Sequence, residues 1–102
     1  MVSYVLEDAG FDVLPVYTGF DALETALRER PDLVVLDVMM PGLDGREVSR
    51  RLKESVQTSR IPVMLFSAAH IDLASTTADA FLAKPFDLDA LVAQASRLLR
   101  SA

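Results

Sequence analysis

The sequence predicts an α/β fold in which a parallel sheet lies between two layers of helices. Short apolar runs alternate with amphipathic helical patterns along the chain, which is typical of strands joined by crossover helices. Two of these runs, residues 33–36 and 63–66, are continuously apolar, as expected of strands buried on both faces. Hydrophobic residues make up 51% of the 102 residues, which indicates one domain over residues 1–102 with a single core.

The start of the chain predicts the end of a helix. In residues 2–9, Val2, Val5 and Leu6 fall on one helical face, and Gly10 stands where a left-handed closing residue is favoured. The elements that follow are predicted in this order: a strand at 11–16, a helix at 21–30, a strand at 33–37 and a helix at 45–55.

The second half of the chain continues the alternation. Strands are predicted at 62–67 and 80–83, and a helix runs from its N-cap Asp87 to about Arg100 with apolar residues at helical spacing. Residues 68–79 hold too few apolar side chains to predict a full helix.

Composition excludes several classes of function. The net charge of −5 works against direct binding to nucleic acid, and no apolar stretch is long enough to span a membrane. The chain has no cysteine, so a cytoplasmic location is expected, and there is no thiolate metal site. His70 is the only histidine, which argues against a histidine metal cluster and against a Ser-His-Asp hydrolase.

Three predicted strands end on polar side chains: Asp37, Ser67 and Lys84. If the strands are parallel, these ends meet at one edge of the sheet, where ligands of such folds bind. A carboxylate, a hydroxyl and an ammonium together suit a phosphoryl group. Each also has a structural interpretation: Asp37 as a turn cap, Ser67 as the N-cap of the next turn, and Lys84 as a salt-bridge partner of Asp37.

These motifs resemble those of the receiver domains of response regulators in two-component signalling. The resemblance is carried by residues 36–45 (LDVMMPGLDG), by Ser67-Ala68 and by residues 78–86 (ADAFLAKPF), and it extends over the whole chain. It implies a flavodoxin-like sheet in the order 2-1-3-4-5.

The resemblance also implies a role for each motif residue. Asp37 would be the phospho-acceptor, Asp37 and the backbone carbonyl of Met39 would hold Mg²⁺, and Ser67 and Lys84 would bind the phosphoryl oxygens. Phe81 would be the aromatic switch, whereas the sequence by itself favours an aromatic residue of the core at this position. The Lys84-Pro85 bond is expected to be cis.

Two departures from the family pattern affect these expectations. Receiver domains open with a central strand that ends in an acidic pair, and this chain begins after it: no such pair precedes Gly10, and Glu7-Asp8 lies at the far end of the predicted helix. We therefore expect a sheet without its first, central strand and a weakened Mg²⁺ site. The interval between Ser67 and Lys84 is also short, which predicts a reduced fourth-helix region.

The expected function is that of a phospho-accepting receiver domain that signals with a histidine kinase or a phosphotransfer protein and accepts phosphate poorly. The alternative is a pseudo-receiver that acts as an interaction module without phosphorylation. A haloacid-type hydrolase would need a second acid where Met39 stands, so an enzyme is not expected. A homodimer is expected because the missing strand would leave the strands at 11–16 and 33–37 with unpaired edges.

Overall fold

The computed structural model describes residues 3–7, 12–39, 41–68, 76–84 and 88–101. Within them the chain forms five strands and three helices. In chain order these are β1 (Ser3–Glu7), β2 (Asp12–Val16), α1 (Gly19–Glu29), β3 (Leu33–Asp37), α2 (Gly45–Glu54), β4 (Val63–Ser67), β5 (Ala80–Ala83) and α3 (Leu88–Ser101).

The strands form one sheet in the order β2-β1-β3-β4-β5. β3 pairs in parallel with β4, and β4 pairs in parallel with β5. β1 is antiparallel to both of its neighbours, so β2 runs in the same direction as β3. The four strands predicted from the sequence therefore share one direction, and their carboxyl ends lie at one edge of the sheet.

The predicted helix over residues 2–9 is wrong, because residues 3–7 form the central strand β1. A helix of eight residues gains little stability of its own. The backbone groups of β2 and β3 that face each other across the gap need hydrogen-bond partners, and Tyr4 and Val5 are residue types that favour strands. Pairing with both neighbours therefore outweighs the helical pattern, and the position expected to lack a strand is filled.

The direction of β1 decides which of its ends lies near the site. Leu6 pairs with Leu33 and Tyr4 with Val35, so Glu7 lies beyond the start of β3. Glu7 is thus at the edge of the sheet opposite Asp37. This position is at the far end of the strand from the site, and Glu7 was not expected to substitute for the missing acidic pair.

The core has one cluster on each face of the sheet. On one face, α1 and α2 cover Val34 and Leu36 of β3 together with Val63 and Leu65 of β4. On the other face, the buried cluster comprises Leu33, Val35, Met64, Phe66, Ala80, Ala95 and Leu98, the last two from α3. The continuously apolar strands are therefore buried on both sides, and the predicted three-layer class is confirmed.

A polar clasp ties α2 to the sheet edge opposite Asp37. Oδ2 of Asp79 accepts hydrogen bonds from the Val63 N–H and from the Lys53 ammonium, each at 2.8 Å, while the Asp79 N–H donates to the Val63 carbonyl at 2.8 Å. The Lys53 ammonium also donates to the Ile61 carbonyl at 2.8 Å. The clasp joins the end of α2 to the starts of β4 and β5.

No helix in the described parts of the chain is both long enough and apolar enough to cross a membrane.

Candidate functional site

Asp37 is the last residue of β3, and the backbone around it is fixed on two sides. The Val38 N–H donates to the carbonyl of Phe66 in β4, and the Gly45 N–H donates to the Val38 carbonyl, both at 3.0 Å. A Cβ at Gly45 would stand 2.5 Å from the Asp37 carbonyl oxygen. Only glycine lets the start of α2 lie this close to the end of β3, so Gly45 helps to set the position of the carboxylate.

Both carboxylate oxygens of Asp37 accept a hydrogen bond. Oδ1 accepts from the Met39 N–H at 2.9 Å, and Oδ2 accepts from the Lys84 ammonium at 2.8 Å. The Asp37 side chain is 5% exposed and that of Lys84 is 25% exposed. A carboxylate this deeply buried depends on such partners for its stability.

Lys84 follows β5 and reaches Asp37 across the neighbouring strand. Its N–H donates to the Ser67 carbonyl at 2.8 Å, which extends the pairing of β4 and β5 by one residue. Its ammonium lies 5.0 Å from the centre of the Phe66 ring. The predicted contact between Lys84 and Asp37 is therefore present, in the form of a direct ion pair.

Ser67 and Phe81 belong to the two strands next to Asp37 and Lys84. Ser67 is the last residue of β4, directly after the register partner of Asp37, and is 1% exposed. Phe81 stands opposite Leu65 in β5 and is half-buried against the core cluster under α1 and α2. The phosphoryl-binding role of Ser67 and the switch role of Phe81 stay predictions.

The loop after Asp37 is closed by turns and caps. Gly42 adopts a left-handed φ of 81°, and the Asp44 side chain caps α2 by accepting from the Arg46 N–H at 2.7 Å. The pKa of the Asp44 carboxyl lies below its ordinary value: burial raises it, but the hydrogen bonds and the charge of Arg46 lower it by more. Asp44 is thus an anion engaged in a cap.

The arginines on the outer face of α2 pair with acids on the same helix. Hydrogen bonds from Arg50, and then from Arg51, lower the pKa of Glu47 to about 2, and Arg50 also pairs with Glu54. These contacts make the face a network of surface ion pairs.

Several sequence predictions lie outside the described residues. These are the cis bond at Pro85, the N-cap Asp87, His70 and most of the shortened fourth-helix region.

Two residues at the site were not singled out in the sequence analysis. Phe66 was assigned only to the core, although its place directly before Ser67 put it on the strand between Asp37 and Lys84. Gly45 appeared only as part of a motif. The signal for its role was the short interval between Asp37 and Gly45, which brings the start of α2 back to the end of β3.

Comparisons with known proteins agree with this geometry. The model of the response regulator receiver domain family matches residues 1–96. The chain belongs to this family. The predicted flavodoxin-like fold class is confirmed by the similarity to solved receiver domains.

Relatives of this receiver domain include larger regulators. It is 37% identical over 105 residues to the DNA-binding dual master transcriptional regulator RpaA of Synechocystis sp., an alignment that covers 98% of this chain and 44% of RpaA. It is 37% identical over 108 residues to the phosphate regulon transcriptional regulatory protein PhoB of Rhizobium meliloti, which covers 100% of this chain and 47% of PhoB. The chain thus spans less than half the length of these curated relatives.

Solved structures show the same receiver fold. The receiver domain of the Francisella response regulator 1452 superposes with a TM-score of 0.80 at 28% identity, covering 91% of this chain and 79% of that one. The receiver domain of the sensor histidine kinase PA1611 from Pseudomonas aeruginosa PAO1, with a magnesium ion coordinated in its active site cleft, has a TM-score of 0.80 at 26% identity, covering 89% and 79% of the two chains.

For a Mg²⁺ ion at this site, the described residues offer the Asp37 carboxylate and the backbone carbonyls beside it. The ion takes six oxygen ligands in near-octahedral geometry. Of the described carboxylates at this edge, Asp44 caps α2, and both oxygens of Asp37 already accept hydrogen bonds, from the Met39 N–H and from the Lys84 ammonium. In the described part of the chain no three His, Cys, Asp or Glu side chains cluster closely enough to hold a metal.

Proposed function

We propose that this receiver domain accepts a phosphoryl group on Asp37 from a histidine kinase or a phosphotransfer protein and acts as a signalling module. The observation that carries the proposal is the 2.8 Å pair between Lys84 and a nearly buried Asp37 at the carboxyl edge of the sheet. The pair brings together a carboxylate that can act as the nucleophile and a cation that can stabilise the negative charge on the phosphoryl group.

The proposed transfer follows from this arrangement. A carboxylate oxygen of Asp37 attacks the phosphorus of a phosphohistidine, the P–N bond breaks, and its electron pair stays on the leaving imidazole. The product is an acyl phosphate on Asp37. The Lys84 ammonium moves from the carboxylate to a phosphoryl oxygen, and the Ser67 hydroxyl donates to another.

We further propose that the chain accepts phosphate slowly and binds Mg²⁺ weakly. The ion pair and the Met39 N–H both stabilise the carboxylate and so reduce its nucleophilicity. Attack requires that at least one of these contacts be given up. A single carboxylate also offers Mg²⁺ few protein ligands, while Glu7 lies at the opposite edge.

The pseudo-receiver is the alternative that the same contacts favour. If the Asp37–Lys84 pair has a structural role, the fold presents an interaction surface without chemistry. The two functions differ in whether Asp37 becomes labelled at all.

The test is the incubation of the 102-residue chain with acetyl phosphate, with and without Mg²⁺, followed by phosphate-affinity gel analysis. We expect a slow, incomplete shift that Asp37→Asn abolishes. Asp44→Asn is the matched control: it removes a nearby carboxylate and keeps the helix cap, so the shift should persist.

Each outcome of this test is informative. A shift that survives in Asp37→Asn rules out Asp37 as the acceptor. No shift in a cooperatively folded chain favours the pseudo-receiver. Rapid, complete labelling shows that the acceptor is right and that the proposed impairment is wrong.

The remaining proposals concern location and assembly. We propose a cytoplasmic protein whose partners are the phosphodonor proteins, with no direct contact to nucleic acid or membrane. The homodimer stays a prediction, but β1 now pairs with both β2 and β3, which removes the unpaired edges from which it was argued. Light scattering over a dilution series decides the oligomeric state.

A further inference from the structure

We infer that Phe66 is a positioning residue, whose ring is the platform on which Lys84 crosses β4 to reach Asp37. The inference deepens the proposed function, on which it rests. It concerns a residue that would otherwise be counted as ordinary core.

The sheet order requires such a crossing. Asp37 ends β3, Lys84 follows β5, and β4 lies between them. Neighbouring strands are about 4.8 Å apart, so the lysine must span roughly 10 Å to reach the carboxylate. The residue of β4 paired with Asp37 is Phe66.

The side chains of these three residues belong to the same face of the sheet. Phe66 packs in the cluster under α3 with Val35 of β3 and Leu82 of β5. Asp37 follows Val35 by two residues and Lys84 follows Leu82 by two, and strand side chains alternate between faces. Asp37, Phe66 and Lys84 therefore form a row across three strands, with the aromatic ring in the middle.

The measured geometry fits an attractive contact. The Lys84 ammonium lies 5.0 Å from the Phe66 ring centre and 2.8 Å from Oδ2 of Asp37. An ammonium within about 6 Å of a ring centre is attracted by its quadrupole. The ring, which is 2% exposed, also keeps water from one side of the ion pair.

A platform of this kind would act on the lysine in both states of the site. It limits the directions in which the ammonium can lie, so that the charge stays above the acceptor while the partner changes from carboxylate to phosphoryl oxygen. An aliphatic residue at position 66 would fill the core without this attraction. We therefore expect the chemical nature of the ring, and not its volume alone, to matter.

The experiment measures the Asp37–Lys84 coupling by a double-mutant cycle in urea, built from Asp37→Asn and Lys84→Met, in the wild type and in three variant backgrounds. Phe66→Leu should reduce the coupling constant about threefold, as expected for loss of a cation–π contact at a partly exposed site. Phe66→Tyr retains the ring and should retain the coupling. Met64→Ala is the matched control, since it lies two residues earlier on the same face of β4, and should reduce stability without changing the coupling.

A second readout needs no phosphorylation. In the NMR spectrum of the wild-type chain, the Hε protons of Lys84 should be shifted upfield by the Phe66 ring current and show cross-relaxation to its ring protons. This shift should vanish in Phe66→Leu and persist in Phe66→Tyr.

These outcomes separate the inference from the proposed function. If acetyl phosphate fails to label the chain, the proposed function fails, while the coupling and the Lys84 resonances still decide the role of Phe66. The inference is overturned if Phe66→Leu leaves both unchanged, or if Met64→Ala weakens the coupling as much as Phe66→Leu does.

Discussion

The ion pair between Lys84 and Asp37 should contribute measurably to the stability of the domain, and two substitutions isolate it. Lys84→Met removes the ammonium and keeps most of the hydrocarbon stem. Asp37→Asn removes the charge and keeps the shape of the side chain. The double variant lacks the pair altogether, so the three variants together give the coupling energy.

The expected magnitudes follow from burial. Removing one partner of a fully buried pair costs about 3–5 kcal/mol. Here the Lys84 side chain is 25% exposed and the Met39 N–H still donates to the carboxylate, so Lys84→Met should cost about 2 kcal/mol. Asp37→Asn should cost about 1 kcal/mol because the lysine can turn to water, and the coupling should be about 1.5 kcal/mol.

Urea denaturation at pH 7 measures these values. With a urea dependence of about 1–1.5 kcal/mol per molar for a domain of this size, Lys84→Met should lower the midpoint by about 1.5 M. The control is the pair of Arg28 and Glu24 on α1, which is well exposed and 3.5 Å long, and whose coupling should be about 0.3–0.5 kcal/mol. Additivity of the two site variants to within about 0.4 kcal/mol would refute the reasoning.

Three further predictions concern the surroundings of the site. Gly45→Ala should destabilise the domain by about 1–3 kcal/mol in thermal unfolding, because its Cβ would stand 2.5 Å from the Asp37 carbonyl oxygen; an unchanged melting temperature contradicts the close approach. Asp79→Ala should cost about 1–3 kcal/mol in urea, since it removes the side-chain acceptor of the Val63 N–H and one of the two acceptors of the Lys53 ammonium, and a loss no larger than that of Glu24→Ala argues against the clasp. The pKa of Glu47 is lowered from 4.5 to about 2, chiefly by Arg50, so its stabilisation is complete above pH 4.5 and is lost as the pH falls towards 2. Glu47→Gln should therefore flatten the decline of stability across this window, an effect that high salt should diminish, and an unaltered pH profile would contradict the ion pair.

The strands from residue 33 onwards were predictable because their short apolar runs are stable only as strands that are buried in the sheet. A continuously apolar segment such as β3 must be covered on both faces, and the Pro-Gly pair after it forces an end. The observed strands at Leu33–Asp37 and Ala80–Ala83 match the predicted bounds.

The start of the chain was not predictable from its local pattern. Val2, Val5 and Leu6 share a helical face, yet residues 3–7 form a strand. Their conformation depends on the unpaired edges of β2 and β3, which lie outside the segment itself. Only the assembled sheet supplies the hydrogen-bond partners that outweigh a weak helical preference.

The part of the site that could be predicted from the sequence was the contact between Asp37 and Lys84. Strand ends on one edge placed Asp37 and Lys84 together, and the structure joins them at 2.8 Å. The Met39 N–H on Oδ1 and the Phe66 ring beneath the lysine depend on loop geometry and strand register, which residue type alone does not specify.

The most direct test of the central claim is to map the phosphorylated residue after prolonged incubation with acetyl phosphate and Mg²⁺. Borohydride reduces an acyl phosphate on aspartate to homoserine, which peptide mass spectrometry locates in the chain. We expect homoserine at Asp37 at low occupancy and none in the Asp37→Asn variant. Homoserine at Asp44 or at another carboxylate, with Asp37 unmodified, would contradict it.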